Sequence, residues 1–170
     1  PVLGHPGTAA ALAGLQADPP LHYAGATPFH APRTLASLAA LRAARPQARL
    51  LAGSTDIGLW VNKQFRDLGE LIYLGEVAEL KAISVQGGVL TIGAGASLQA
   101  AWNALATHWP ATRQMGLRFA SLPVREAGTM GGNVANGSPI GDSMPVLIAL
   151  GASIVLRHGT AQRSLLLQDF

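Results

Sequence analysis

The sequence predicts an α+β domain. Leucines at helical spacing and short apolar runs follow one another without the regular strand–helix alternation of a doubly wound sheet. Hydrophobic residues make up 49% of the 170 residues, enough for a packed core. Two stretches of small residues, around 53–56 and 128–142, interrupt the pattern where predicted elements end.

The elements are read in chain order. Residues 1–26 are rich in Pro, Gly and Ala and read as a linker that extends towards Pro32, with one short helix near Ala9 to Leu15; order is expected to begin at Phe29. Thr34 to Arg45 is a helix, with Thr34 as cap, Leu35, Leu38 and Leu41 at helical spacing, and Pro46 as the stop. A strand at Arg49 to Ala52 leads into a turn, Gly53 to Asp56, and a second helix from Asp56 to Gln64. Leu71 to Leu74 is a strand. Leu80 to Val85 and Gly88 to Ile92 form a hairpin closed by Gln86 and Gly87. Ser97 caps a helix that runs to Trp109 and ends at Pro110, and Thr112 to Ala120 is helical. From Gly128 to Asp142 the chain is expected to be a ligand-ordered loop. Met144 to Leu150 is a short helix capped by Asp142 or Ser143, followed by strands at Ser153 to Arg157 and Gln162 to Leu166. A first subdomain is expected over about 27–120 and a second over about 121–170.

Charged residues are only 12% of the chain, which hints at a surface covered by further chain or by a partner. The net charge is +3 and the pI about 10.0, yet the arginines are dispersed and there are few aromatic residues to stack on bases, so nucleic acid is not the expected partner. There is no cysteine, hence no disulfide, thiolate metal site or iron–sulfur ligation within the chain, which fits a cytoplasmic protein. No apolar run approaches the ~20 residues that span a membrane. The start, Pro1 to Ala10, has neither the basic nor the apolar part of a signal peptide, and without an initiator Met the chain is expected to be a fragment.

Candidate chemistry is confined to the two small-residue segments. In Leu50, Leu51, Ala52, Gly53, Ser54, Thr55, Asp56 and Ile57 a strand turns into a helix. Outward N–H groups and a helix N-terminus favour an anion there, and Gly53 is expected to let a diphosphate approach the backbone. An ordinary strand–helix turn is the plain alternative. In the second segment Thr129, Met130, Gly131, Gly132, Asn133 and Ala135 lead to Asp142, the segment's one carboxylate, either a polar ligand contact or a helix cap. Trp60 and Trp102 fall on apolar helical faces and are expected in the core. The five histidines are scattered without metal-ligand spacing, and no metal site is expected. No nucleophile or acid–base pair is evident, so catalysis is expected to rest on a cofactor.

The two segments, in this order, resemble the FAD-binding domain of the xanthine dehydrogenase (molybdenum hydroxylase) family. Gly53, Thr55 and Gly58 match its "GxTxxG"-like turn; Gly131, Gly132, Asn133, Ser138, Pro139 and Asp142 match its "GGNxxxxSPxxD" loop. Leu59 to Gln64 and Gly137 to Ser143 are most similar to the small subunit of bacterial xanthine dehydrogenases. The resemblance runs from about His22 to Phe170. It implies the two-subdomain FAD-binding fold of the vanillyl-alcohol oxidase (PCMH) type, with its C-terminal part lying beyond Phe170. It implies that Leu50 to Ile57 wrap the FAD diphosphate, that Phe119 and Thr129 to Asn133 contact the cofactor, that Asp142 is a polar contact, and that Ala135 lies near the flavin ring. It further implies electrons arriving from iron–sulfur clusters on another domain, a molybdenum-cofactor subunit that hydroxylates a purine, and NAD as acceptor of hydride. A flavin subunit of a sister enzyme (carbon monoxide dehydrogenase or aromatic acyl-CoA reductase) and a packing domain that has lost FAD are the alternatives.

Overall fold

A computed structural model describes residues 7–139 and 141–170. The first six positions of the expected linker, and Ile140 of the second motif, lie outside the described residues. The expected helix near Ala9 is α1 (Thr8–Leu15). The sheet then begins earlier than expected: β1 (His22–Tyr23) pairs antiparallel with β2 (Phe29–His30) inside the segment read as linker. A two-residue strand leaves too short a pattern to read from sequence.

Helix α2 (Leu35–Ala44) starts as expected at Thr34, whose side chain accepts from the Ser37 N–H while the Ser37 hydroxyl accepts from the Thr34 N–H. That reciprocal cap satisfies two N-terminal donors, and the Leu35 N–H is taken by the Glu79 carboxylate at 3.1 Å. Strand β3 (Arg49–Leu51), helix α3 (Ile57–Gln64) and strand β4 (Leu71–Tyr73) follow. The sheet order is β1-β2-β4-β3, with β2, β4 and β3 mutually parallel. This stretch therefore does carry a β–α–β–α–β rhythm, of which only the first strand, the two-residue β2, was not read from the sequence. Ile72 of the central strand is fully buried, with Ala31, Ala48 and Val77 buried around it.

Beyond β4 the hairpin is shifted. Ala78–Lys81 is a 3-10 turn, and β5 (Ile83–Gln86) pairs with β6 (Val89–Ile92) across Gly87 and Gly88, whose φ values of 57° and 79° are those of a tight primed turn. Helix α4 (Leu98–His108) is capped by Ser97, which accepts from the Ala100 N–H at 3.1 Å. Its i, i+3, i+4, i+7 face, Leu98, Ala101, Trp102 and Leu105, forms the main core with Phe119, Met130, Val134 and Leu167. Helix α5 (Arg113–Arg118) lies within the helix expected over 112–120, and α6 (Leu122–Ala127) was not expected. Phe119 packs on Trp102 (ring centroids 5.7 Å apart) in one cluster with Val134 and Leu167, so residues before and after position 120 share this core.

The glycine-rich segment is helical in its first half, as α7 (Met130–Asn136), where an irregular loop was expected. Gly and Asn disfavour a helix intrinsically. Tertiary bonds override that preference here: Met130 and Gly131 donate to the carbonyls of Ala96 and Ala94 at 3.0 and 2.8 Å, and Thr129 caps the Gly132 N–H. Gly137, at φ 59°, ends α7. Helix α8 (Ser143–Ala149) has Asp142 at its N-cap position without a side-chain cap bond. Strands β7 (Ser153–His158) and β8 (Ala161–Leu166) close the chain as an antiparallel pair. No helix of the described residues is long and apolar enough to cross a membrane.

Candidate functional site: a junction of two small-residue segments

The two segments singled out in the sequence meet. The first leaves the carboxyl end of β3, the position where parallel sheets present ligand-binding turns. Gly53 lies directly against the end of α6: a Cβ there would overlap the Ala127 carbonyl oxygen and lie 2.8 Å from the Cα of Gly128. A Cβ on Gly128 would in turn lie 3.3 Å from the Thr55 hydroxyl. Gly128 accepts from the Leu98 N–H at 2.9 Å, and Thr129 bridges to Ser97. The sequence-distant turns 53–55 and 127–129 are thus in direct contact, and the second is tied to the start of α4.

This changes the reason for two glycines. Gly53 was expected to let a diphosphate approach and Gly131 to contact the cofactor; the space a Cβ would take is filled by the chain at both, by Ala127 at Gly53 and by Ala94 at Gly131, whose Cβ would stand 2.6 Å away. Gly132 is different. A Cβ on it would meet only the Thr129 hydroxyl, at 2.7 Å, and its other surroundings are open.

The donors are likewise divided. Among the described residues the N–H groups of Gly53, Ser54 and Thr55 donate to no acceptor. Ser54 adopts φ 61°, a left-handed conformation uncommon outside glycine, and its carbonyl accepts from Gly58. A left-handed residue within such a turn is one way to aim successive N–H groups at an anion. The N–H groups of Met130, Gly131, Gly132 and Asn133 are all engaged within the chain. What α7 retains is the Asn133 side chain, whose buried Oδ1 has no partner among the described residues. Asp142 is exposed and, among the described residues, forms no hydrogen bond or ion pair. It does not act as the side-chain cap that was the plain alternative.

Phe119 and Met130 are 7% and 5% exposed and belong to the core. Leu51, Ala52, Asp56 and Ile57 are half-buried, whereas Leu50 and Ala135 are exposed. Trp60 is not a core residue: it is half-buried between the guanidinium groups of Arg49 and Arg66, 5.1 and 4.6 Å from its centroid. Trp102 is a core residue as expected.

Sequence reading missed one polar cluster, because its members are eight and forty residues apart. His22 and His30 stack at 4.5 Å with their Nδ1 atoms 2.6 Å apart, His30 Nε2 donates to Glu70 at 2.7 Å, and Arg45 donates to the same carboxylate oxygen. The hydrogen bond from His30, then the Arg45 guanidinium, hold the Glu70 carboxyl below its ordinary value. Only the strand register, which places His22 opposite His30, brings these groups together. Among the described residues no group of three or more His, Cys, Asp or Glu side chains, this one included, is arranged to hold a metal ion.

A flavin diphosphate fits this junction by the chemistry of its donors, three N–H groups of the 53–55 turn that are unpaired among the described residues, while the orphaned Asn133 Oδ1 on the second segment is an acceptor suited to a hydroxyl or N–H of the cofactor. Residues 23–170 match the model of the FAD-binding domain in molybdopterin dehydrogenases. The chain belongs to that family, and FAD is its cofactor. It is 31% identical over 150 residues to the carbon monoxide dehydrogenase medium chain of Afipia carboxidovorans, covering 86% of this chain and 52% of that one. A putative xanthine dehydrogenase FAD-binding subunit of Escherichia coli is 32% identical over 124 residues, which is 71% of this chain and 42% of the relative. Among solved structures, quinoline 2-oxidoreductase from Pseudomonas putida superposes with a TM-score of 0.78 at 26% identity, over 85% of this chain and 52% of the other. The chain therefore spans about half the length of these relatives. Each of these relatives is named as an oxidoreductase or a component of one.

Proposed function

We propose that this chain supplies the diphosphate-binding half of the FAD site in a xanthine dehydrogenase-like molybdenum hydroxylase. The observation that carries the reading is the packing of Gly53 and Thr55 against Ala127 and Gly128, which brings the free donors of 53–55 to the turn that leads into α7. In this reading Gly53, Ser54 and Thr55 hold the diphosphate through their backbone, with Leu50, Leu51, Ala52, Asp56 and Ile57 lining its approach. Thr129, Gly131, Gly132 and Asn133 form the facing wall, and Asp142 and Ala135 approach the sugar and flavin side. Phe119 and Met130 act from behind, as core residues that hold α4 and α7 in place.

The proposed architecture is the two-subdomain vanillyl-alcohol oxidase type. When bound, FAD supplies both single-electron and hydride chemistry, which suits it to link iron–sulfur clusters to NAD. The partners in this reading are an iron–sulfur domain and a molybdenum-cofactor subunit; the cysteine-free composition leaves cluster ligation to other chain. It also supports a cytoplasmic location.

The purine as substrate rests on the segments Leu59 to Gln64 and Gly137 to Ser143. The likeness to the carbon monoxide dehydrogenase medium chain supports a second reading, a sister enzyme with the same flavin site. Anaerobic reduction of the full complex separates the two. Xanthine and NADH are each expected to bleach the visible flavin band. Bleaching by carbon monoxide but not by xanthine would establish the sister enzyme instead.

A further inference from the structure

We propose that Arg125, held by Gln99, is a positioning residue for the FAD site; the proposal rests on the site reading above. Arg125 is half-buried on α6, and its guanidinium joins three elements. Nε donates to the Gln99 Oε1 of α4 at 2.6 Å, and one terminal nitrogen donates to the carbonyls of Phe119 and Ala120 at 2.7 and 2.8 Å. Among the described residues no carboxylate pairs with it.

The geometry shows what this clamp controls. Ala120 is a non-glycine residue at φ 44°, so the turn from α5 into α6 holds a disfavoured conformation, and Arg125 fastens the two carbonyls that flank it. Gln99 lies one residue beyond Leu98, whose N–H binds the Gly128 carbonyl at 2.9 Å. The side-chain bond from Arg125 and the backbone bond from Leu98 therefore run in parallel between α4 and the end of α6. The Ala127 carbonyl that fills the open side of Gly53 belongs to this same helix end. Releasing Arg125 leaves α6 free to rotate, and that rotation shifts the contact between the two cofactor segments. Lysine does not replace it, because an ammonium lacks the fixed fork that reaches Gln99 and the two carbonyls together.

The test compares Arg125→Lys, Arg125→Gln and the milder Gln99→Ala in the full protein. FAD dissociation constants and the visible circular dichroism of bound flavin are measured well below the unfolding temperature. Loss of hydrogen bonds to a charged group is expected to weaken FAD binding roughly tenfold in both Arg125 variants and by a smaller factor in Gln99→Ala, with an altered flavin dichroism at saturation. The dichroism is the readout that a purely stabilising role does not move. If the variants lose thermal stability yet bind FAD with wild-type affinity and dichroism, Arg125 is a stability residue and the proposal is overturned. Should either Arg125 variant fail to fold, Gln99→Ala decides the matter by the same two measurements. Absence of FAD binding by the wild-type protein is a different failure, that of the site reading itself.

Discussion

Gly53 and the Ala127 carbonyl oxygen occupy adjoining space with no room for a Cβ between them. The contact joins the turn after β3 to the end of α6 across more than seventy residues of sequence. Gly53→Ala is expected to force the two backbones apart and to destabilise the fold by about 1–3 kcal/mol, the usual range for overpacking. Chemical denaturation measures it, and an unchanged midpoint would show that the contact is not tight.

Gly132 offers the opposite case. Its open side meets only the Thr129 hydroxyl, so Gly132→Val is expected to cost no more than a disturbed helix cap, about 1 kcal/mol, while FAD binding is lost. Thermal unfolding and a flavin titration on the same preparation separate the two effects. A folded variant with wild-type FAD affinity would remove Gly132 from the site.

Asp142 stands at the N-cap position of α8 without capping it. Asp142→Ala is therefore expected to leave stability within about 0.5 kcal/mol of wild type, as at ordinary surface positions, and to weaken FAD binding. If stability falls instead and affinity does not, the carboxylate serves the helix after all.

The Glu70 cluster makes the sheet sensitive to acid. Its carboxyl is held below the ordinary value by the hydrogen bond from His30 and then by Arg45. A group whose folded value is lowered stabilises the protein above the ordinary carboxylate range, and that contribution fades as pH falls through the lowered value. Urea midpoints measured from neutral pH down to acid are expected to fall less steeply in Glu70→Gln than in wild type. Parallel curves would mean that the cluster does not couple folding to protons.

The elements legible in the sequence were those with local signals. Thr34 and Ser97 cap helices where expected, and the Leu98, Ala101, Trp102, Leu105 spacing faces the core. Two kinds of feature were hidden. Strands of two residues, such as His22–Tyr23, carry no readable alternation. Helix α7 runs against the propensity of its glycines and asparagines, and only the carbonyls of Ala94 and Ala96 explain it. The site was legible as two segments of unusual composition, but the division of labour within them was not. That Gly53 and Gly131 serve packing, while Gly132 remains open, depends on which backbone lies opposite, and sequence spacing holds no record of that.

The most direct test is a titration of the full protein with FAD, followed by quenching of flavin fluorescence, with FMN as the control. The junction of the two segments is assigned to the diphosphate, which FMN lacks. Saturable binding of FAD with little or none of FMN is the expected result. Equal affinity for both flavins would contradict the assignment, because the holding contacts would then lie on the flavin ring and not on residues 53–55 and 129–133.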